Sequence, residues 1–428
     1  MTLPQRLSVL FLQGHPSAFS RDLGAEMARR GHRVTRVNVC AGDWLYWRGP
    51  ETINYRGRAD GWLVFLETLC RARGVTHIVY FADRLPWHVA AQQVADRLGI
   101  QAVSYEFGYL RPDWIIVERG GQSAWSHFPD DLPVIRKLAK GLPAPDMTLR
   151  YRFDFGTEAL NEVVFNLSNV FLWFLYPHYD TDRRYHPLRE YLGYIPRLIR
   201  ARRRAEPARQ AIVRLVGART PFFTVALQMQ GDYQIRRNSP YRDIREFVQQ
   251  VITSFAAHAD PAARLVFKKH PLDNGLERWG DVVSSLASAA GIADRVIFLD
   301  GGDLQALLRA SAGAVIINST VGLHALQALT PVKTMGIALY DIPGLTHQGP
   351  LDRFWAEASP PAQADVTALV RLLAAALHVK GDFYSPEGRK AGVTAMADRL
   401  DTDGVNGHGA FVPVPPRLEK AAAIGVRL

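Results

Sequence analysis

The residues of this chain that could do chemistry sit where apolar runs end. In Ala314-Val-Ile-Ile-Asn-Ser-Thr-Val-Gly322, a β-branched run stops at Asn318, Ser319 and Thr320, whose side-chain oxygens and open backbone N–H groups suit a phosphate at a strand-to-helix junction. Lys268-Lys269-His270-Pro271 closes another run: the histidine is a hydrogen-bond donor, the lysines a positive field, and the proline fixes the backbone that aims the ring. Asp232 follows an apolar strand and Gly231, so its carboxylate is placed to act as a nucleophile toward an anomeric carbon in a transfer that retains configuration. Glu106, at the tip of the run 101–105, is a general acid/base candidate because partial burial raises a carboxyl pKa toward neutrality. Each residue alone also has a plainer reading: Ser-Thr and Asp as caps, Glu106 as one of several loop charges with Arg111, Asp113 and Glu118.

Positioning these groups requires strands alternating with helices. Runs at 7–12, 33–39, 76–81 and 101–105, separated by amphipathic segments, predict a doubly wound parallel sheet, and runs beginning near 220, 264, 296, 314 and 332 predict a second one. The expected fold class is α/β, two Rossmann-like doubly wound domains facing a cleft. We place an N-terminal α/β domain on the acceptor side at 1–150, an apolar and then arginine-rich helical connector at 151–210, a nucleotide-sugar-binding domain at 211–375, and a C-terminal helix with an extended tail at 376–428. Gly14 sits in the first strand-to-helix turn, but the other glycines of a dinucleotide fingerprint are missing there.

Composition narrows the partners. Lys+Arg 51 against Asp+Glu 41 gives a formal charge of +10, which favours anionic ligands. No recognised nucleic-acid module accompanies the arginines, so nucleic acid is not expected. The apolar stretch 163–175 is interrupted by Asn166, Ser168 and Asn169 and is shorter than the ~20 residues of a membrane span. Followed by Arg183, Arg184, Arg189, Arg197, Arg200 and Arg202 to Arg204, it reads either as a surface that rests on anionic lipid or as a helix hairpin between domains. The first residues lack a signal-peptide pattern, so the expected location is cytoplasmic. Cys40 and Cys70 have neither metal nor redox spacing, and no ligand cluster for a metal is apparent.

Taken together, Phe11 to Gly14, Asn38 through Asp43, Tyr105 to Asp113, Leu227 through Arg236, Lys269 to Pro271, Asn318 to Gly322 and Tyr340 to Thr346 resemble the capsular polysaccharide biosynthesis/export family of KpsS type. The resemblance covers most of residues 7–350. It implies a GT-B-like retaining β-Kdo transferase using CMP-Kdo, peripheral to the inner membrane and needing no cofactor or metal, whose single-module members start a poly-Kdo linker on a lyso-phosphatidylglycerol acceptor. It implies Asp232 as nucleophile and Glu106 as acid/base. Lys269, His270, Pro271, Asn318, Ser319, Thr320, Gly322, Arg111, Gln228 and Gly14 become substrate-binding residues. Implied partners are the nucleotide sugar, an anionic lipid acceptor, the inner-membrane surface and capsule synthesis or export proteins. The chain departs from the pattern at Tyr233 and in its arginine-rich middle. The alternatives are a transferase using another nucleotide sugar, sialyltransferase-like, or a non-catalytic export component.

Overall fold

Buried runs of β-branched and aromatic residues set the two sheets. In a computed structural model, residues 6–152, 155–218 and 220–428 are described, without the side chains of 198–205. The chain forms β1 (Ser8–Phe11), β2 (Arg33–Asn38), β3 (Thr52–Asn54), β4 (His77–Phe81), β5 (Gln101–Phe107) and β6 (Trp114–Arg119), then β7 (Phe222–Ala226), β8 (Arg264–Lys268), β9 (Val296–Leu299), β10 (Gly313–Ile316) and β11 (Val332–Thr334), and last β12 (His378–Lys380). It divides into one unit of residues 1–129, 138–182 and 370–416 and another of 130–137, 183–369 and 417–428.

The first unit holds a seven-stranded sheet ordered β12-β6-β5-β4-β1-β2-β3. Its strands β1 to β5 run parallel, as the alternation of strands and helices predicts, while β6 is antiparallel to both β5 and β12. Both faces are covered. Val9, Phe11, Val103, Tyr105 and Phe383 lie in one apolar cluster, and Leu10, Val37, Trp62, Ile78 and Tyr80 in the other. The second unit holds a five-stranded parallel sheet ordered β11-β10-β7-β8-β9, whose core gathers Val225, Phe247, Leu265, Phe267 and Val315. Nearly every residue of β7, β8 and β10 is buried, which explains why they read as continuous apolar runs.

Three features differ from the expectation from sequence. The segment 376–428 is not a separate tail. β12 pairs with β6, and helix Pro386–Asp401 contributes Val393, Met396 and Leu400 to the first unit's core. Residues 417–428 belong to the second unit, where Arg417 is buried and donates to the Leu339 carbonyl (2.8 Å), while Lys420 pairs with Asp341 (2.6 Å). The connector 151–210 is likewise not one body. Helix Phe155–Phe171 belongs to the first unit and helix Pro187–Gly217 to the second.

Candidate functional site

In the second unit, the residues of the predicted site converge at the carboxyl ends of parallel strands, where the loops of an open α/β sheet collect. Gln228 follows β7 and Asn318 follows β10, its neighbour in the sheet. The Gln228 side-chain amide donates to Asp232 Oδ2 (3.3 Å) and to Asn318 Oδ1 (3.0 Å), and its carbonyl accepts the Asn318 backbone N–H (3.3 Å). Asn318 in turn donates to the Gln234 and Asn238 carbonyls (3.0 and 3.4 Å). One buried glutamine therefore ties the proposed nucleophile to the proposed phosphate turn.

Asp232 is half-buried and caps the helix Tyr233–Asn238, its Oδ1 accepting the Gln234 N–H at 2.9 Å. The cap fixes one carboxylate oxygen and the Gln228 amide holds the other, so the side chain has one orientation. The plainer reading of Asp232 as a cap is what the structure shows, at a position a few residues beyond the exit of β7.

The Asn318-Ser319-Thr320 turn leads into helix Val321–Gln327. Thr320 occupies the N-cap position but makes no capping bond with its side chain. Ser319 Oγ accepts the Val321 N–H (3.2 Å) instead. Tyr340, known from the sequence only as the start of the run Tyr340 to Thr346, donates its hydroxyl to the Ser319 carbonyl. Gly322 makes this contact sterically feasible. A Cβ there would fall 2.3 Å from both Ile316 Cδ1 and Tyr340 Oη.

Lys269, His270 and Pro271 follow β8, beside β7. Leu272 donates its N–H to His270 Nδ1 (3.1 Å), so the neutral ring carries its proton on Nε2, a donor. The two lysines differ from a simple positive field. Lys268 is buried, and desolvation pushes its pKa down against the pull of Asp300 and Asp303. Lys269 is ion-paired to Asp300 (3.0 Å) and Asp273 (3.6 Å), and Arg197 joins the same two carboxylates (3.3 and 2.8 Å). The four charges balance. Beside them lies a cavity of about 500 Å³ lined by Arg197, Lys269, Asn274, Arg278 and Trp279, a volume suited to a small molecule.

In the first unit, Gly14 lies between β1 and helix Phe19–Arg29. A Cβ on Gly14 would fall 1.9 Å from Ser20 Oγ, which itself bonds the Tyr105 hydroxyl (2.5 Å). The adjoining His15, which sequence reading passed over, is fully buried: Nδ1 meets Ser17 Oγ (3.0 Å), Nε2 meets the Tyr384 hydroxyl (3.2 Å), and Phe383 stacks on the ring at 4.2 Å. Burial pushes its pKa down to about 3, so it remains neutral. The signal available in sequence was the Gly14-His15-Pro16 turn at a strand exit. A narrow cavity beside Gly14 is lined by Ser20, Arg36, Asp43, Tyr46 and Phe165, with Arg36 and Asp43 forming a buried pair at 2.8 Å.

Glu106 is half-buried near the end of β5, in register with Ile116 of β6. Arg111 is exposed, with its guanidinium 4.6 Å from the Phe107 ring centre. Their sequence neighbours are scaffold. Asp113 is buried, bonded to Lys380 (2.8 Å) and to the N–H groups of Arg150 and Tyr151. Glu118 is buried in β6 and accepts from Ser126. A further carboxyl, Glu158, lies on helix Phe155–Phe171; burial raises its pKa and Arg111 opposes the rise. Among the described residues no group of His, Cys, Asp and Glu is arranged to hold a metal.

Of the four arginines between 183 and 204 whose side chains are described, three are ion-paired. Arg183 pairs with Glu190 (2.6 Å), Arg184 with Asp243 (2.8 Å) and Arg197 with Asp273. Arg189 is exposed, and the side chains of Arg200, Arg202, Arg203 and Arg204 lie outside the described residues.

A family model described as capsule polysaccharide biosynthesis protein matches residues 76–384. The capsule polysaccharide export protein KpsS of Escherichia coli is 30% identical over 351 residues, spanning 81% of this chain and 89% of that protein. The capsule polysaccharide modification protein LipB of Neisseria meningitidis serogroup A is 28% identical over 398 residues, 88% of this chain and 92% of that one. Among solved structures, the beta Kdo 2,7 transferase KpsC of Thermosulfurimonas dismutans is similar over 92% of this chain and 99% of that chain, at 15% identity and a TM-score of 0.46.

Proposed function

The chain belongs to the capsule polysaccharide biosynthesis family, and from that premise we propose that it is a GT-B-type glycosyltransferase that moves Kdo from CMP-Kdo to a lyso-phosphatidylglycerol-type lipid, starting the poly-Kdo linker of a capsular polysaccharide. The observation that carries this reading is the convergence of Asp232, Gln228, Asn318 and Ser319 at neighbouring strand ends of one parallel sheet. On this reading the phosphate of CMP is held by the Nε2–H of His270 and by the Ser319 and Thr320 hydroxyls. Fixed donors of this kind stabilise a departing phosphate without a metal.

The transfer proceeds by two displacements. In the first, an Asp232 carboxylate oxygen bonds to the anomeric carbon while the bond to the phosphate oxygen breaks, and CMP leaves with the electron pair. In the second, the acceptor hydroxyl oxygen bonds to that carbon, its proton passes to Glu106, and the ester to Asp232 breaks, restoring the carboxylate. Each displacement inverts, so the pair retains configuration. Because donor, leaving group and acceptor are all anionic, a chain of +10 attracts them, and an acceptor held in a bilayer calls for work at the inner-membrane surface. No helix among the described residues is long and apolar enough to cross a membrane.

The test is release of CMP from CMP-Kdo in the presence of a lyso-phosphatidylglycerol analogue, with the product's configuration read by NMR. A thermal-shift panel gives the donor class: stabilisation by CMP supports the reading, and stabilisation by UDP alone replaces it with a transferase for another nucleotide sugar.

A further inference from the structure

The helix Phe155–Phe171 has two unlike faces. One packs on helix Ala41–Tyr46. The Tyr46 hydroxyl donates to Asn161 Oδ1 (2.8 Å), the Gly42 N–H donates to Asn169 Oδ1 (2.8 Å), and Phe165 lies so close that a Cβ on Gly42 would meet its ring at 2.5 Å. The other face carries Leu160, Val164, Leu167 and Phe171 at i, i+4, i+7 and i+11, a single stripe about 16 Å long at helical rise. Leu160 and Phe171 are each 63% exposed, and the stripe continues into the turn Trp173–Leu175, where Trp173 is 64% and Phe174 60% exposed.

We propose that this stripe and the Trp173-Phe174 turn are the surface by which the protein seats on an anionic lipid bilayer. The inference rests on the lipid-acceptor reading given above and locates where the bilayer meets the chain. The charges fit. The helix's acidic residues, Glu158 and Glu162, lie on the side opposite Leu160, so the stripe carries no negative charge. Its basic neighbour comes from elsewhere in the unit: Arg56 lies 5.9 Å over the ring of Tyr176, directly after the aromatic turn. Arg56 is exposed and has no carboxylate partner among the described residues.

Aromatic side chains beside an arginine without a carboxylate partner are the composition of an interfacial surface, with rings at the acyl boundary and the guanidinium group at the headgroups. The area argues against a second copy. The five exposed side chains present roughly 600 Å², short of the ~800 Å² per partner of a stable interface. The seat also has a use, because Phe165 on the inner face of the same helix lines the cavity beside Gly14.

The experiment compares full-length protein with a Leu160→Gln, Phe171→Gln, Phe174→Gln variant in co-sedimentation with phosphatidylglycerol/phosphatidylcholine vesicles and with pure phosphatidylcholine vesicles. The native chain should bind the anionic vesicles, and the variant should bind about 10-fold or more weakly with an unchanged melting temperature. Quenching of tryptophan fluorescence by brominated lipid should fall in Trp173→Phe. Equal vesicle binding by native and variant chains overturns the seat, while transfer to a short-chain, dispersed acceptor would leave the lipid-acceptor reading standing. Loss of vesicle binding in the variant without any transfer by the native chain supports the seat and removes that reading. A native dimer that the same substitutions dissociate overturns the proposal in favour of a protein interface.

Discussion

Asp232→Asn isolates the chemistry from the fold. Asparagine caps a helix about as well as aspartate, so the Gln234 N–H keeps its acceptor and stability should change by less than ~0.5 kcal/mol. The amide cannot bond covalently to the anomeric carbon as the carboxylate does, so CMP release should fall by about 10³-fold or more. Full activity with unchanged melting would show the aspartate to be only a cap. Gly322→Ala tests the phosphate turn. The new methyl must displace Ile316 or the Tyr340 hydroxyl that holds Ser319, so we expect a loss of ~1–3 kcal/mol in urea unfolding together with a weaker thermal shift by CMP. At this scale the sequence named the turn but not which hydroxyl caps it: Ser319 accepts the Val321 N–H, because Thr320 already has helical φ/ψ. The tie between Gln228 and Asn318 was hidden, since it joins residues ninety positions apart through a pairing of β7 with β10 that periodicity does not specify.

Elements were legible where their pattern was uninterrupted. The five strands of the second sheet and the Asp-capped helices Ile244–His258 and Leu304–Ala310 follow the apolar runs and their caps closely. β6 was not, because Pro112 and Asp113 immediately before it read as loop and Glu118 as a loop charge, whereas Asp113 is bonded to Lys380 and Glu118 is buried. β12 is three residues long, and its place beside β6 is a tertiary fact with no local signature. The short helix Leu418–Ala423 was missed because Pro413 to Pro416 suggested only an extended tail, yet it brings Lys420 to Asp341. Burial pushes the Asp341 carboxyl up, but Lys420 and the hydroxyls of Thr334 and Thr346 more than offset it, so the folded pKa lies below the ordinary carboxylate value. That stability is complete above the unfolded pKa of about 4 and drains away as pH falls through the lower, folded value. Lys420→Met should therefore cost ~1–2 kcal/mol at pH 7, a figure reduced because Lys420 is 40% exposed, and the gap from the native chain should close in urea melts taken well below pH 4.

For the whole molecule, the chain leaves its first unit after residue 182 and returns at 370, so the first sheet is completed only after the second has been made. This makes residues near the C-terminus core residues of the N-terminal half. Phe383 is fully buried, with ring centres of His15 at 4.2 Å, Phe19 at 5.0 Å, Phe107 at 5.0 Å and Phe81 at 5.9 Å around it. Phe383→Ala removes a ring from a packed cluster and should cost about 3–5 kcal/mol, a size of effect that a residue in an extended tail would not have. The loss should be confined to the first unit, because Phe383 belongs to that unit's core cluster and the turn binding CMP on the proposed reading belongs to the second. Scanning calorimetry of Phe383→Ala should show a lowered transition that CMP does not move, and a second transition that CMP still raises, by an amount near 2.7 kcal/mol at a hundredfold excess over its Kd. A single transition lowered in Phe383→Ala and raised by CMP would mean that the two units unfold as one, and that ligand bound to one sheet stabilises the core of the other.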